Sequence, residues 1–185
     1  MAKLIYVVQM SVDGFVADAT GNFDWAAPDE EVHGFVNDLM RDGGTMLLGR
    51  RMYEVLVPWE DPAIGEGQME PIADFHRIWL SSDKVVFSRS LRDPSTSRTR
   101  IERDFDANAI ARMKADQKRD LSIGGPELAD LAIRAGLVDE YHLIAVPYLA
   151  GSGNRALRDG PARKLELIDE RRFANGAVYH GYRRL

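Results

Sequence analysis

The sequence predicts an α/β fold: a three-layer arrangement in which a mostly parallel central sheet carries helices on both faces and ends in an antiparallel hairpin. Three stretches carry this prediction. Asp120 to Gly153 reads as strand, Gly-Gly turn, helix and strand, with Leu121–Ile123 running into Gly124-Gly125 and Pro126 standing where a first helical residue belongs. Tyr141 to Val146 is apolar on both alternate faces, the pattern of a strand covered by helices on two sides, so the connection is a right-handed βαβ crossover. Thr45 to Val57 repeats the strand-to-helix pattern around Gly49, and Lys164–Phe173 with Val178–Arg184 flank Asn175-Gly176, a two-residue turn signal of the hairpin kind.

Taken in order, Leu4–Met10 is β-rich and nearly continuously apolar, a mid-sheet strand followed by an Asp13-Gly14 turn. Phe15–Ala17 makes a small excursion before Phe23-Asp24-Trp25. A helix starts at Pro28-Asp29, carries Val32, Phe35, Val36, Leu39 and Met40 at helical spacing, and stops at Asp42-Gly43-Gly44. Thr45–Leu48 is a buried strand and Arg50 to about Val57 a short helix. Residues 58–71 mix Pro, Gly and acidic side chains and read as a surface loop, with a lid over a site as the sharper alternative. Ile72–Trp79 is a short helix, Lys84–Phe87 a strand, Arg98–Glu102 a polar edge strand or loop, and Ala107–Ala115 a helix. In the next helix Leu128, Leu131, Ala132 and Ala135 form the stripe expected to face the sheet, and Gly136 supplies the left-handed stop.

The 185 residues suit one well-cored domain, residues 1–185. A net charge of -5 without a long basic block argues against a nucleic-acid partner. With no cysteine there is no disulfide, thiolate nucleophile or Cys-ligated metal, and His33, His76, His142 and His180 lack ligand spacing, so no metal is expected. Met1 leads into an apolar run too short for a signal peptide, and none approaches the ~20 residues of a membrane span. The expectation is a cytoplasmic protein without membrane contact. No P-loop, G-x-S-x-G or H-E-x-x-H motif occurs. Gly151-Ser152-Gly153-Asn154-Arg155-Ala156 matches a dinucleotide fingerprint, but Asp159-Gly160-Pro161 interrupts the helix such a turn must open, so it is read as a loop bordering a pocket or a plain connection.

Several of these stretches resemble one family. GGPEL followed by GLVDEYHLIAVPYLAGSG resembles the C-terminal half of the reductase domain of bacterial riboflavin-biosynthesis deaminase-reductases, which has the dihydrofolate-reductase-like fold. MSVDGFVAD with FDW resembles the opening of small standalone members of that superfamily, and LLGRRMYE their first cofactor-binding turn. The resemblance implies NADPH as cofactor and a homodimer as the assembly. A deaminase domain and its cysteine ligands are not expected in this sequence.

Two strand-to-helix turns point to the cofactor on their own chemistry. Gly49-Arg50-Arg51 and Gly124-Gly125-Pro126, with Glu127 and Leu128 continuing the second, present helix N-terminal N–H groups beside glycine, the arrangement that binds phosphate. Ser88, Arg89 and Ser90 offer hydroxyls and a guanidinium suited to a phosphate monoester, a plain solvated turn being the alternative; the resemblance assigns this loop to the adenosine 2'-phosphate. On the substrate side Asp13 follows a central strand, where open α/β sheets put ligand groups, and is expected to orient the substrate. Trp25 and Phe35 are candidate pocket walls, with a core role the alternative for Phe35. Folate reductases place a carboxylate on the helix after their Trp; counting back from Gly49 gives His33, which becomes the candidate proton donor and argues against dihydrofolate as substrate. The reading is an NADPH-dependent reductase acting on a C=N or C=O carbon of a small polar substrate, heterocyclic or a ring-opened sugar. A nucleotide-binding protein without turnover and a flavin-binding oxidoreductase are the alternatives.

Overall fold

A computed structural model describes residues 1–185. The strands are β1 Leu4–Ser11, β2 Phe15–Asp18, β3 Thr45–Gly49, β4 Asp83–Phe87, β5 Thr99–Glu102, β6 Leu121–Gly124, β7 Glu140–Val146, β8 Gly153–Arg155, β9 Leu165–Arg172 and β10 Val178–Arg184. The α-helices are α1 Glu30–Arg41, α2 Arg50–Leu56, α3 Pro62–Gly65, α4 Glu70–Ser81, α5 Ala107–Asp116 and α6 Pro126–Arg134, and 3-10 turns span Asp24–Ala26 and Val57–Glu60. Eight strands form one sheet in the order β5-β4-β3-β6-β1-β7-β10-β9. The first six run parallel, and the β10–β9 hairpin joins β7 antiparallel. β1 therefore lies mid-sheet and Thr99–Glu102 is the edge strand beyond β4, as the sequence predicts.

Each face of the sheet has its own core. On one, Leu4, Tyr6, Leu47, Leu121 and Ile123 pack against Ile110 of α5 and Leu128, Ala129 and Ala132 of α6. On the other, Met46, Leu48 and Val86 meet Tyr53 of α2 and Ile78 and Trp79 of α4, while Ile144, Val146 and Tyr179 meet Val32 of α1. Fully burying each of these large side chains contributes about 1.5–3 kcal/mol, so the helices are fixed by the sheet more than by their own propensity. α1 is capped by the Asp29 carboxylate, which accepts from the Val32 N–H. α6 ends in a Schellman motif, with Leu137 N–H donating to the Ala132 carbonyl and Gly136 N–H to that of Ile133 at φ +70°.

Four sequence expectations change. Leu131 is 45% exposed, and the buried stripe of α6 is Leu128, Ala129 and Ala132, rotated toward the i, i+1, i+4 face by contact with both β6 and β3. The 58–71 segment is largely helical and is tied to α4: the Trp59 carbonyl lies 3.0 Å from His76 Nδ1, and Glu60 accepts from Trp79 Nε1 at 2.9 Å. The fingerprint-like segment becomes β8, paired with β2. A Cβ on Gly153 would fall 2.0 Å from the Ala17 carbonyl oxygen, so that glycine serves strand contact. The terminal hairpin turns over three residues, Ala174 to Gly176, because Phe173 N–H bonds to the Ala177 carbonyl and Gly176 takes a left-handed φ.

A polar group is built into the α1-side core. The Tyr179 hydroxyl and His142 Nδ1 share a hydrogen bond of 2.7 Å, Glu140 lies 3.4 Å from Nε2, and Lys3 pairs with Glu140 at 2.8 Å. Burial lowers the His142 pKa against the opposing pull of Glu140, and burial pushes the Tyr179 hydroxyl up to about 12, which keeps it protonated. A depressed folded pKa means that the unfolded chain binds the proton more readily, so this contribution is present above ~6.5 and is lost as pH falls through the folded value. Thermal melts should show His142→Gln, which keeps an acceptor but cannot titrate, losing less stability than the parent between about pH 8 and about pH 5.5; an equal loss in both would remove His142 as a source of acid sensitivity.

Candidate functional site

The connections on the two sides of the sheet leave in opposite directions at one point. From β3 the chain passes through α2 and α4 on one face to β4, and from its neighbour β6 it passes through α6 on the other face to β7. Adjacent parallel strands whose helices depart to opposite faces leave a crevice at their carboxyl ends, the topological switch point where open α/β sheets bind ligands. Leu48 pairs with Gly124 at that edge, so the Gly49 and Gly124-Gly125 turns lie side by side.

Glycine is required here for two physical reasons. Gly125 has φ +94°, a conformation disfavoured for residues with a Cβ, although a Cβ there would meet only Met52 Cβ at 3.6 Å and Gly49 Cα and N at 3.7 Å, ordinary van der Waals distances. A Cβ on Gly124 would meet Leu48 Cδ2 at 3.1 Å and Met52 Cγ at 3.2 Å. Pro126 then occupies the first turn of α6, Glu127 is exposed there, and Leu128 turns inward to the core. Arg50 is paired with Glu54 at 2.7 Å, one turn along α2, whereas Arg51 is exposed.

The next strand toward the edge, β4, places the Ser88–Ser90 loop at the same end of the sheet. Ser88 is buried, and its Oγ accepts from the N–H of Ser90 and of Leu91, which folds the loop back on itself. Arg103 fastens it from outside by donating to the carbonyl oxygens of Ser88 and Leu91. Arg89 donates through Nε to Asp104 at 2.9 Å, both side chains being largely exposed. An exposed pair of this kind contributes about 0–1 kcal/mol, so Arg89 can exchange Asp104 for a phosphate at little cost.

On the other side of the crevice β1 delivers Asp13. Its two carboxylate oxygens accept from the backbone N–H of Ala150 and Gly151 at 3.0 and 2.7 Å, clasping the loop that follows β7. Its pKa is lowered, first by the Ser11 hydroxyl and then by these N–H groups. The clasp occupies oxygens that the sequence reading reserves for substrate. Trp25 stacks on Tyr148 with ring centroids 4.7 Å apart and planes 11° apart. Phe35 lies edge-on to Tyr179 at 4.6 Å and to Phe173 at 5.3 Å, between α1 and the terminal hairpin. His33, in the first turn of α1, packs against Trp59 and Phe75, each 5.8 Å away and 4.8 Å from one another. Its pKa is lowered by burial, opposed by the nearby Asp74 carboxylate, so the ring is neutral at pH 7. Tyr148, Trp59 and Phe75 are aromatic neighbours that reach these positions only through the tertiary fold.

Residues 2–179 match the model of the RibD C-terminal domain. The chain belongs to this family. Among its relatives is the uncharacterized protein YyaP of Bacillus subtilis (strain 168), 26% identical over 183 residues that cover 96% of this chain and 94% of YyaP. A candidate riboflavin biosynthesis protein from Shewanella sp. PV-4 has a similar structure, with a TM-score of 0.76 at 19% identity, covering 100% of this chain and 99% of that one. The deaminase/5-amino-6-(5-phosphoribosylamino)uracil reductase of Thermotoga maritima superposes with a TM-score of 0.68 at 14% identity, covering 100% of this chain but 57% of that longer one. The shared architecture is the dihydrofolate-reductase-like fold of riboflavin-biosynthesis reductases.

The left-handed backbone at Gly125 sets a measurable cost. Gly125→Ala should lower the free energy of unfolding by about 1–2 kcal/mol, the penalty of a Cβ at positive φ. A denaturant titration giving parent-like stability would show that the turn relaxes out of the left-handed region.

Proposed function

We propose that this RibD-family chain is an NADPH-dependent reductase of a small polar heterocycle or ring-opened sugar carrying a C=N or C=O group, a pyrimidine-type substrate being the class that the family suggests. The observation that carries the proposal is the switch point between β3 and β6, where two glycine turns, each leading into a helix, stand against one another at the sheet edge. Backbone N–H groups after Gly125 would hold one part of the dinucleotide pyrophosphate, and Gly49 with Arg50 and Arg51 the other. Ser88, Arg89 and Ser90 would receive the adenosine 2'-phosphate, Arg89 leaving Asp104 to do so. The fit is chemical: helix N-terminal N–H donors, movable guanidinium groups and glycine at both turns.

NADPH supplies a hydride when bound, and the protein orients it. Transfer needs donor and acceptor carbons about 3–3.5 Å apart. The substrate carbon gains the hydride, and its nitrogen or oxygen gains a proton from water or from His33. A neutral His33 delivers that proton only after taking one up from solvent, which places the chemistry on positioning more than on a strong acid. Trp25 and Phe35 would bound the substrate side, and Asp13 would shape it through the 150–151 backbone as well as by direct contact.

The first test is cofactor selectivity. Arg89→Ala should weaken NADPH at least about tenfold in a fluorescence titration while leaving NADH nearly unchanged, because only the former carries the phosphate that the guanidinium would grip. Equal weakening of both would move the 2'-phosphate elsewhere. NADPH oxidation is then followed with pyrimidinones, pteridines and sugar-derived imines, where binding without turnover on any of them would favour a non-catalytic role.

A homodimer is proposed as the assembly. β9 is an open edge with all eight residues exposed, including Leu165, Leu167 and Ile168, a surface that pairing would cover. Light scattering at micromolar concentration should give twice the 20.8 kDa chain mass. A monomeric mass with and without NADPH would overturn it.

A further inference from the structure

Gln9 is the one polar residue between Leu4 and Met10 of β1 that carries an amide, and its place in the sheet gives it a direction. Leu4, Tyr6 and Val8 turn to the α5/α6 core, so Gln9 turns to the opposite face. There it pairs in parallel register with Ile144, which packs under Val32 of α1. Its other flank has no strand partner, because the last register pair between β1 and β6 is Tyr6 with Ile123. By the level of Gln9, β6 has already passed into the Gly124-Gly125 turn. Gln9 thus stands beside the switch-point crevice, on the face that also carries His33 in the first turn of α1.

The Gln9 Nε2 atom is buried and has no hydrogen-bond partner. Turning the amide over would leave an oxygen in the same unpaired position, so the lack of a partner does not depend on the assignment of the two atoms. A buried amide group without a partner is a net loss to the folded state, and a leucine of similar volume would avoid it. The group is explained if its partner arrives with a ligand. A carboxamide offers an N–H donor and a carbonyl acceptor in one plane, which complements another amide edge, –CO–NH– or –CO–NH2, through two parallel hydrogen bonds.

We infer that Gln9 reads the amide edge of a molecule bound at the β3/β6 crevice, a further specificity-determining contact of the reductase site proposed above, on which this inference rests. The edge has two sources: the carboxamide of the nicotinamide ring, or a ring lactam of the substrate.

The test compares the parent with Gln9→Leu by isothermal titration of NADPH, of 2'-phospho-ADP-ribose, which lacks the nicotinamide, and of 5,6-diaminouracil added to protein loaded with NADP+. Gln9→Leu should melt at or above the parent temperature, since it removes an unpaired buried group. It should also lose about tenfold or more in affinity for one probe. Loss for NADPH with 2'-phospho-ADP-ribose unchanged assigns the nicotinamide. Loss for the uracil with NADPH unchanged assigns the substrate. Parent-like affinity for every probe that the parent binds overturns the inference and leaves the reductase reading standing. A melt well below the parent with all affinities intact also overturns it, because the amide is then paired inside the fold. A parent that binds none of the three overturns both readings. Should Gln9→Leu fail to fold, the side-chain NH2 signals of Gln9 in the 15N-labelled parent decide: they shift on adding the bound probe, or the inference falls.

Discussion

The adjacency of the turns that end β3 and β6 is the constraint on which the rest of the site depends. β3 and β6 are hydrogen-bonded neighbours, and both chains must leave the sheet at the same level, one into α2 and the other into α6. The chain leaves β6 through Gly125 at a φ near +94°, a backbone conformation that glycine adopts without strain and a residue with a Cβ does not. α2 and α6 take opposite faces of the sheet, which opens the crevice. The two apolar cores hold this geometry rigid: Leu47 and Ile123 bury one side of the strand pair, while Met46 and Leu48 bury the other.

Around this fixed centre the loops are held by side-chain-to-backbone hydrogen bonds more than by ion pairs. Ser88 and Arg103 fold the loop after β4, and Asp13 clasps the loop after β7 across a separation of 137 residues. Tyr6 ties the same region from below by donating its buried hydroxyl to the Ala156 carbonyl at 2.9 Å. Each such bond contributes about 1 kcal/mol net. The exposed ion pairs of Arg50 and Arg89 contribute less and break readily. The division suits a site whose backbone is preorganised and whose cations reorient toward an incoming anion.

Much of this was legible in the sequence, for reasons that differ by element. The parallel core could be read because Leu121–Ile123 and Tyr141–Val146 are apolar on both faces, and Gly-Gly-Pro fixes a turn and a helix start through backbone geometry alone. The turns around Gly49, Ser88 and Gly124 were located the same way, though their adjacency comes from strand order, which places β6 between β3 and β1. Leu131 was misread because α6 touches β6 and β3 together, which rotates its buried stripe. The 58–71 segment looked like a loop by composition, yet its Trp59 and Glu60 anchor short helical turns on α4 through bonds that no local pattern announces. Gln9 did carry a signal, a lone amide in an apolar strand, but its missing partner is visible only in three dimensions.

The two halves of the crevice are made of different material, and this bears on specificity. Toward β3, β4 and β6 it is built from glycine turns, helix ends and surface arginines, groups that recognise phosphate wherever it occurs. Toward β1 and α1 the groups proposed to face a ligand are side chains: Gln9, Trp25 stacked on Tyr148, and His33 packed against Trp59 and Phe75. Backbone donors are insensitive to most substitutions, whereas exchanging one of these side chains alters the shape or polarity facing a ligand. A structure only 19% identical to this chain has the same fold, so the fold tolerates exchange of most side chains. Substrate choice within the family is therefore expected to follow the β1 and α1 side chains, where a change leaves the strand-end geometry intact.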